Sequence, residues 1–112
     1  MKQYVARAHI RPDKRNKTER RYADEILEPR RRGKIIRRFW FEGIKLRLAD
    51  NTFYTPDYLV EIADGTLEVH EVKGFWRDDA RVKIKVAAEL FPFRFLAVMW
   101  NSRGKHWEIE EI

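Results

Sequence analysis

Cysteine is absent from this 112-residue sequence, which excludes disulfides, thiolate-bound zinc and a cysteine nucleophile. The absence suits a reducing compartment, so a cytoplasmic protein is expected. No apolar run approaches the ~18 residues of a membrane span, and the N-terminus lacks a signal-peptide core. No membrane partner is therefore expected. Glycine and proline are sparse, at five and four residues, and no repeat or low-complexity linker divides the chain. The expected organisation is a basic arm at 1–15 followed by one small domain at 16–112. Little area remains for both a core and a site, which favours association with a second copy.

Hydrophobic residues make up 44% of the chain and aromatics 13%, enough for a folded core, while 38% charged residues give a strongly ionic surface. The net charge of +6 is unevenly spread. Residues 1–47 hold sixteen Lys/Arg against six Asp/Glu, whereas residues 48–112 hold eight against twelve. The basic half should meet a polyanion. Nucleic acid fits, because neutralised phosphates release counterions. An anionic membrane surface fits less well, because the basic residues do not lie opposite a wide apolar helical face.

The strongest chemical signal is Thr55-Pro56-Asp57-Tyr58-Leu59-Val60, followed after one turn by Glu71-Val72-Lys73-Gly74. Two carboxylates and a lysine on neighbouring strands are the parts of a hard-cation site for phosphoryl chemistry. Ala63-Asp64-Gly65 suits a three-residue hairpin loop ending in a left-handed glycine. Pairing Ile62 with Thr66 then sets Asp57 opposite Glu71, with Cβ atoms roughly 5 Å apart. A two-residue loop, Asp64-Gly65, would slip the register and send Asp57 to the other face. The metal reading thus requires the longer loop. Leu67, Val69, Glu71 and Lys73 share one face of the second strand, so Lys73 looks into the same cleft as Glu71. The plain alternative is a hairpin carrying surface charges.

A first helix should start near Asn16 or Thr18 and stop before Pro29, with Tyr22, Ala23, Ile26 and Leu27 as its apolar stripe. Glu19 shares that stripe. A carboxylate there needs a partner or a metal, which makes it the candidate third acidic residue, with Glu42 in reserve. The spacing of Asn16 and Glu19 also fits a capping box. Residues 35–41 and 44–48 read as one or two β segments, and the hairpin of 54–62 and 66–73 continues the sheet. A second helix, capped by Asp78 or Asp79, should run to about Leu90. Residues 93–100 return as a buried strand, and 107–110 add a short edge strand. Within the arm, 4–10 alternate like a strand suited to exchange between two copies. The expected fold is α/β (α+β), order αβββαβ, with helices flanking a mixed sheet.

This order, with Glu19, Pro56-Asp57 and Glu71-x-Lys73 at its stations, resembles the PD-(D/E)XK nuclease superfamily. Tyr54-Thr55-Pro56-Asp57-Tyr58-Leu59 and Glu71-Val72-Lys73-Gly74-Phe75-Trp76, with Asp79, Arg81 and Lys83, are similar to the endonuclease I family of phage junction-resolving enzymes. The likeness covers roughly residues 16–100 and is weak between Glu19 and Asp57. It implies a restriction-endonuclease-like core and a Mg²⁺- or Mn²⁺-dependent endodeoxyribonuclease acting on branched or structured DNA, as a Holliday junction resolvase does. It also implies an intertwined homodimer and the cytoplasm of a phage-infected or prophage-bearing bacterium. Asp57 and Glu71 would bind the metal with the backbone carbonyl of Val72. Lys73 would orient or help deprotonate water, and Glu19 would complete the site. A nicking or transposase-type endonuclease and a catalytically vestigial DNA-binding module are the competing functions.

Basic candidates for DNA contact are Arg30, Arg31, Arg32 and Lys34, read as a loop, and Arg81, Lys83 and Lys85 on the second helix. Arg81 and Lys85, one turn apart, could hold a phosphate. His70 should point away from Glu71 and serve structure, while His9 and His106 show no partner. Phe75 and Trp76 are expected to pack, with stacking on an unpaired base as the other option. Glu61 and Glu68 should sit on the sheet as solvated or paired charges.

Overall fold

The computed structural model describes residues 12–76 and 78–112. The strand-like stretch expected at 4–10, and His9, lie outside the described residues. The chain is a mixed α+β protein. Its helical entry runs α1 (Lys17–Tyr22), a wider π-helical turn (Ala23–Leu27) and α2 (Glu28–Arg32). Five strands, β1 (Ile36–Phe41), β4 (Tyr58–Ile62), β5 (Leu67–Lys73), β6 (Arg94–Asn101) and β7 (His106–Glu111), form one sheet in the order β1-β4-β5-β6-β7. Within this sheet β5 and β6 pair in parallel, joined through the helix α3 (Asp78–Leu90), and the other neighbours are antiparallel. Among the described residues no helix is long and apolar enough to cross a membrane.

The hairpin register is the one that the longer loop predicts. Tyr58 pairs with His70 and Leu59 with Val69. Ile62 N–H donates to Thr66 O at 2.8 Å, and Gly65 takes φ 91°, the left-handed conformation the third loop residue needs. The Asp64 side chain accepts from the Thr66 N–H at 2.8 Å, stiffening the turn.

Three sequence expectations are corrected. The first helix does not stop before Pro29: the chain stays helical to Arg32, because Glu28 N–H reaches Ala23 O five residues back and Pro29 enters at the start of a new α segment. Proline is tolerated there because its missing N–H is not needed. Arg30, Arg31 and Arg32 are therefore the last turn of a helix rather than a loop. Residues 44–54 do not extend the main sheet either. They form a separate ribbon of β2 (Leu46–Ala49) and β3 (Thr52–Tyr54), turned at Asp50 and Asn51, where Asn51 tolerates φ 52°.

The sheet is covered on both faces. Tyr22, Ala23 and Leu27 pack with Tyr58, Val60, Val72 and Val98 on one side. On the other, Ile84 and Ala87 of α3 and Leu46 and Tyr54 of the ribbon pack on Val69 and Phe95. Central β5 is consequently buried from Glu68 to Val72, although three of those five residues are polar or ionisable. Each needs a partner, because an unpaired buried polar group costs on the order of 1–3 kcal/mol.

Candidate active site

The register of β4 and β5, carried one residue further, places Asp57 across from Glu71. Both are buried. Asp57 accepts the Val72 N–H through Oδ2 at 2.7 Å, and its own N–H donates to Glu71 Oε2 at 3.1 Å. Pro56, itself buried, precedes Asp57. Proline fixes φ and removes a donor, so the entry to β4 is rigid at the point where Asp57 is presented. Lys73, two residues past Glu71 on the same face, brings Nζ to 3.3 Å from Glu71 Oε1.

The electrostatics are those of crowded acids. Burial pushes the Asp57 carboxyl up to about 8, aided by the charge of Glu71 and by a hydrogen bond with the Glu19 side chain. For Lys73 burial pulls the ammonium down, but the negative charges of Glu71, Asp57 and Glu19 outweigh it and hold the pKa above its usual value. Lys73 is therefore a cation at neutral pH.

Glu19 carries two roles at once. It closes a capping box, its Oε1 accepting from the Asn16 N–H at 2.8 Å while its own N–H donates to Asn16 Oδ1 at 2.8 Å. It is also buried beside Asp57. The Tyr58 hydroxyl donates to the Glu19 backbone oxygen at 2.8 Å, tying the first turn of α1 to β4. Glu42 is exposed, and it meets the site strand through its backbone N–H, which donates to Asp57 O at 2.7 Å.

Asp57 and Glu71 offer hard oxygen donors, and one lysine can offset only one of their charges, a donor set suited to Mg²⁺ or Mn²⁺ rather than to a soft metal. Among the described residues no three His, Cys, Asp or Glu side chains gather closely enough to hold a metal ion. One Glu19 oxygen is turned to the Asn16 N–H of the cap. The two strand carboxylates thus form the core of the site, with Glu19 beside it.

Of the basic candidates, Lys83 lines the cleft with Glu71 and Lys73. Arg81 instead turns to Glu110 of β7 at 3.0 Å, and Lys85 lines a separate hollow with Glu110 and Glu111. The paired phosphate clasp expected of Arg81 and Lys85 is not formed. Arg31 and Arg32 both pair with Glu28, the latter at 3.8 Å. Arg30 lines a groove with Glu68 and Arg94, on the opposite sheet face and toward the other end of β5. Lys34 is exposed beyond α2 with φ 61°.

Tyr54 is a site residue that sequence reasoning missed: its hydroxyl donates to Glu71 Oε2 at 2.6 Å. Burial and the neighbouring Glu71 charge raise its pKa, so it stays a donor. Its position three residues before Asp57 was the available signal. His70 serves structure as expected: Nδ1 lies 2.7 Å from the Tyr22 hydroxyl and Nε2 lies 2.9 Å from Glu68 Oε1. Glu68 Oε2 in turn accepts from Arg94 at 3.0 Å. Glu61 is paired by Arg38 at 2.7 Å. His106 does have a partner, Glu108 Oε1 at 3.4 Å. Trp76 packs against the α3 core, whereas Phe75 is 67% exposed.

The chain matches no protein-family model, no curated protein and no solved structure.

Proposed function

We propose that this protein is a metal-dependent endodeoxyribonuclease with a restriction-endonuclease-like core, hydrolysing phosphodiester bonds in branched or structured DNA as a homodimer. The observation that carries this reading is the buried Asp57 and Glu71 pair, facing each other across two strands with the Lys73 ammonium at 3.3 Å from Glu71. Burying two acids side by side costs stability, and such perturbed groups concentrate at functional sites.

Asp57 and Glu71 would hold Mg²⁺ or Mn²⁺, with the Val72 carbonyl and Glu19 completing the set that the family resemblance implies. Bound there, the ion supplies charge stabilisation for the phosphate and a more acidic water. Tyr54 and the Asp57 N–H fix the Glu71 carboxylate, so no reorganisation is needed when substrate arrives. Lys73, being protonated, donates rather than accepts: it orients the attacking water and faces the negative charge that grows on the phosphate oxygens. Water oxygen adds to phosphorus and releases one proton to bulk solvent, the bond to the leaving sugar oxygen breaks, and that oxygen takes up a proton from solvent. The basic half of the sequence supplies general affinity for the backbone.

Incubation with linear duplex, nicked duplex, single strand and a four-way junction, each with Mg²⁺ or with EDTA, tests the reading. Cleavage confined to the Mg²⁺ samples is expected, strongest on the junction. Asp57→Asn and Glu71→Gln should abolish it while DNA binding persists. Normal turnover by both variants would remove the site. Nicking without paired cuts would favour the nicking-enzyme alternative, and binding without cleavage the vestigial module.

A further inference from the structure

Two adjoining hollows, about 350 and 270 Å³, meet at Lys73, Asp79 and Ala80. Together they form one groove across the candidate site. Phe75 lines the first and Phe53 the second. Both rings stand out of the core: Phe75 is 67% exposed and Phe53 43% exposed. They come from separate parts of the chain, one from β3 and one just past β5, yet both reach the same groove. The core on this face is closed by Ile84, Ala87, Leu46, Tyr54 and Phe95, and neither ring belongs to it.

We infer that the groove takes a nucleic-acid strand whose bases are unstacked around the scissile phosphate, with Phe53 and Phe75 as the surfaces on which those bases stack. The inference rests on the nuclease reading of the Asp57 and Glu71 site. Aromatic faces accept any base, which gives affinity for unpaired strand without sequence preference. The cations are placed to accompany such a strand. Lys73 lines both hollows and Lys83 the one that Phe53 lines, and Lys45 Nζ lies 4.5 Å from the Phe53 ring. A small hydrophobic ligand would not need three ammonium groups, and an intact duplex keeps its bases stacked on one another and away from both rings. Unpaired nucleotides at a branch or gap satisfy rings and cations together. The groove itself thus selects for structured DNA, apart from any contact with the arms of a junction.

The test uses the full chain in EDTA, so binding is read without cleavage. The probe is a duplex with a central two-nucleotide gap, carrying 2-aminopurine opposite the gap, and its fully paired counterpart. Wild type should bind the gapped probe about tenfold more tightly and quench the 2-aminopurine emission on binding. Phe75→Ala and Phe53→Ala should each lose most of that preference, leaving affinity for the paired duplex unchanged, as stacking of one base implies. Phe75→Trp should keep it. Equal affinity of wild type for the two probes, or alanine variants with the wild-type preference and quench, would overturn the inference. The two readings fail separately. Mg²⁺-dependent cleavage without a Phe-dependent preference sinks only the stacking role, whereas the preference without any cleavage sinks only the nuclease.

Discussion

Replacing Asp57 by asparagine should stabilise the protein above neutral pH while removing nuclease activity. In the folded chain burial and the Glu71 charge push the Asp57 carboxyl up to about 8. An unfolded aspartate titrates near about 4. Between those values the folded state holds a proton that the unfolded state has released, so stability falls as pH rises through the window. The contribution is present in full below about pH 4 and is lost as pH passes about 8. At ~1.4 kcal/mol per pKa unit, the burden on the wild type at pH 7 is on the order of 4 kcal/mol, a large share of a typical 5–15 kcal/mol stability. The asparagine carbonyl can still accept the Val72 N–H, and its amide donates toward the neighbouring carboxylates instead of repelling them.

Urea denaturation followed by tryptophan fluorescence measures this directly, since the chain has four tryptophans. In EDTA the variant should exceed wild type by roughly 5 kcal/mol at about pH 8.5, and the difference should shrink toward zero near about pH 4.5. Subtracting one protein from the other cancels the titration of groups remote from Asp57 and leaves that of Asp57 with the neighbours that feel its charge. Mg²⁺ should narrow the gap from the opposite side: with a millimolar Kd, about 10 mM Mg²⁺ stabilises wild type by roughly 1.4 kcal/mol and leaves the variant unmoved. A pH-independent difference, or a variant less stable than wild type in the alkaline samples, would refute the account of Asp57 as a strained buried acid.

Tyr54→Phe removes the hydroxyl that fixes Glu71, so it should weaken Mg²⁺ binding severalfold by calorimetry with little change in DNA affinity; unchanged Mg²⁺ binding would deny the hydroxyl a positioning role. Tyr22→Phe strands the buried Nδ1 of His70 and should cost about 1–3 kcal/mol in thermal or urea unfolding without altering cleavage rate per folded molecule. Charge reversal at Arg31 and Arg32 should lower affinity for all DNA sequences and flatten the salt dependence by about one or two in slope, roughly one for each phosphate no longer neutralised; a retained slope would take the end of α2 out of the interface. Sedimentation at micromolar concentration should report twice 13.6 kDa, whereas a monomer that resolves a junction with paired cuts would defeat the homodimer.

The parts of this fold that were legible in the sequence are those set by local rules. Gly65 dictates the loop, the loop dictates the register, and the register brings Asp57 to Glu71, all within one hairpin. The helical stripe through Glu19, Tyr22 and Ala23 follows from spacing alone. What the sequence hid depends on distant partners. Arg81 has the spacing of a phosphate clasp, but Glu110, twenty-nine residues away, claims its guanidinium. Pro29 reads as a stop because α-helical geometry excludes it, and only a wider turn lets the helix pass. Tyr54 reads as an ordinary strand aromatic until the ribbon folds back and puts its hydroxyl on Glu71.

Central β5 shows why the site lies where it does. The strand buries acids on both faces, and the two faces treat them differently. On one, Glu68 is met by His70 and Arg94, and its pKa is lowered, chiefly by the His70 hydrogen bond. On the other, Asp57 and Glu71 meet each other, and Asp57 is raised instead. Surface exposure does not separate the two cases, since each residue is 8% exposed. Deeper burial of the Asp57 carboxyl and the partners supplied to Glu68 do. A fold that supplies a histidine and an arginine to one buried acid has the means to neutralise another, and a lysine placed 3.3 Å from Glu71 leaves the pair only half neutralised. Below about pH 8 the remaining acid, Asp57, is therefore kept protonated, and holding a proton that the unfolded chain gives up is a standing cost to stability that a bound cation would offset. On the nuclease reading a divalent ion would take the place of that proton, while the neighbouring acids keep Lys73 charged beside the place where a phosphate would sit.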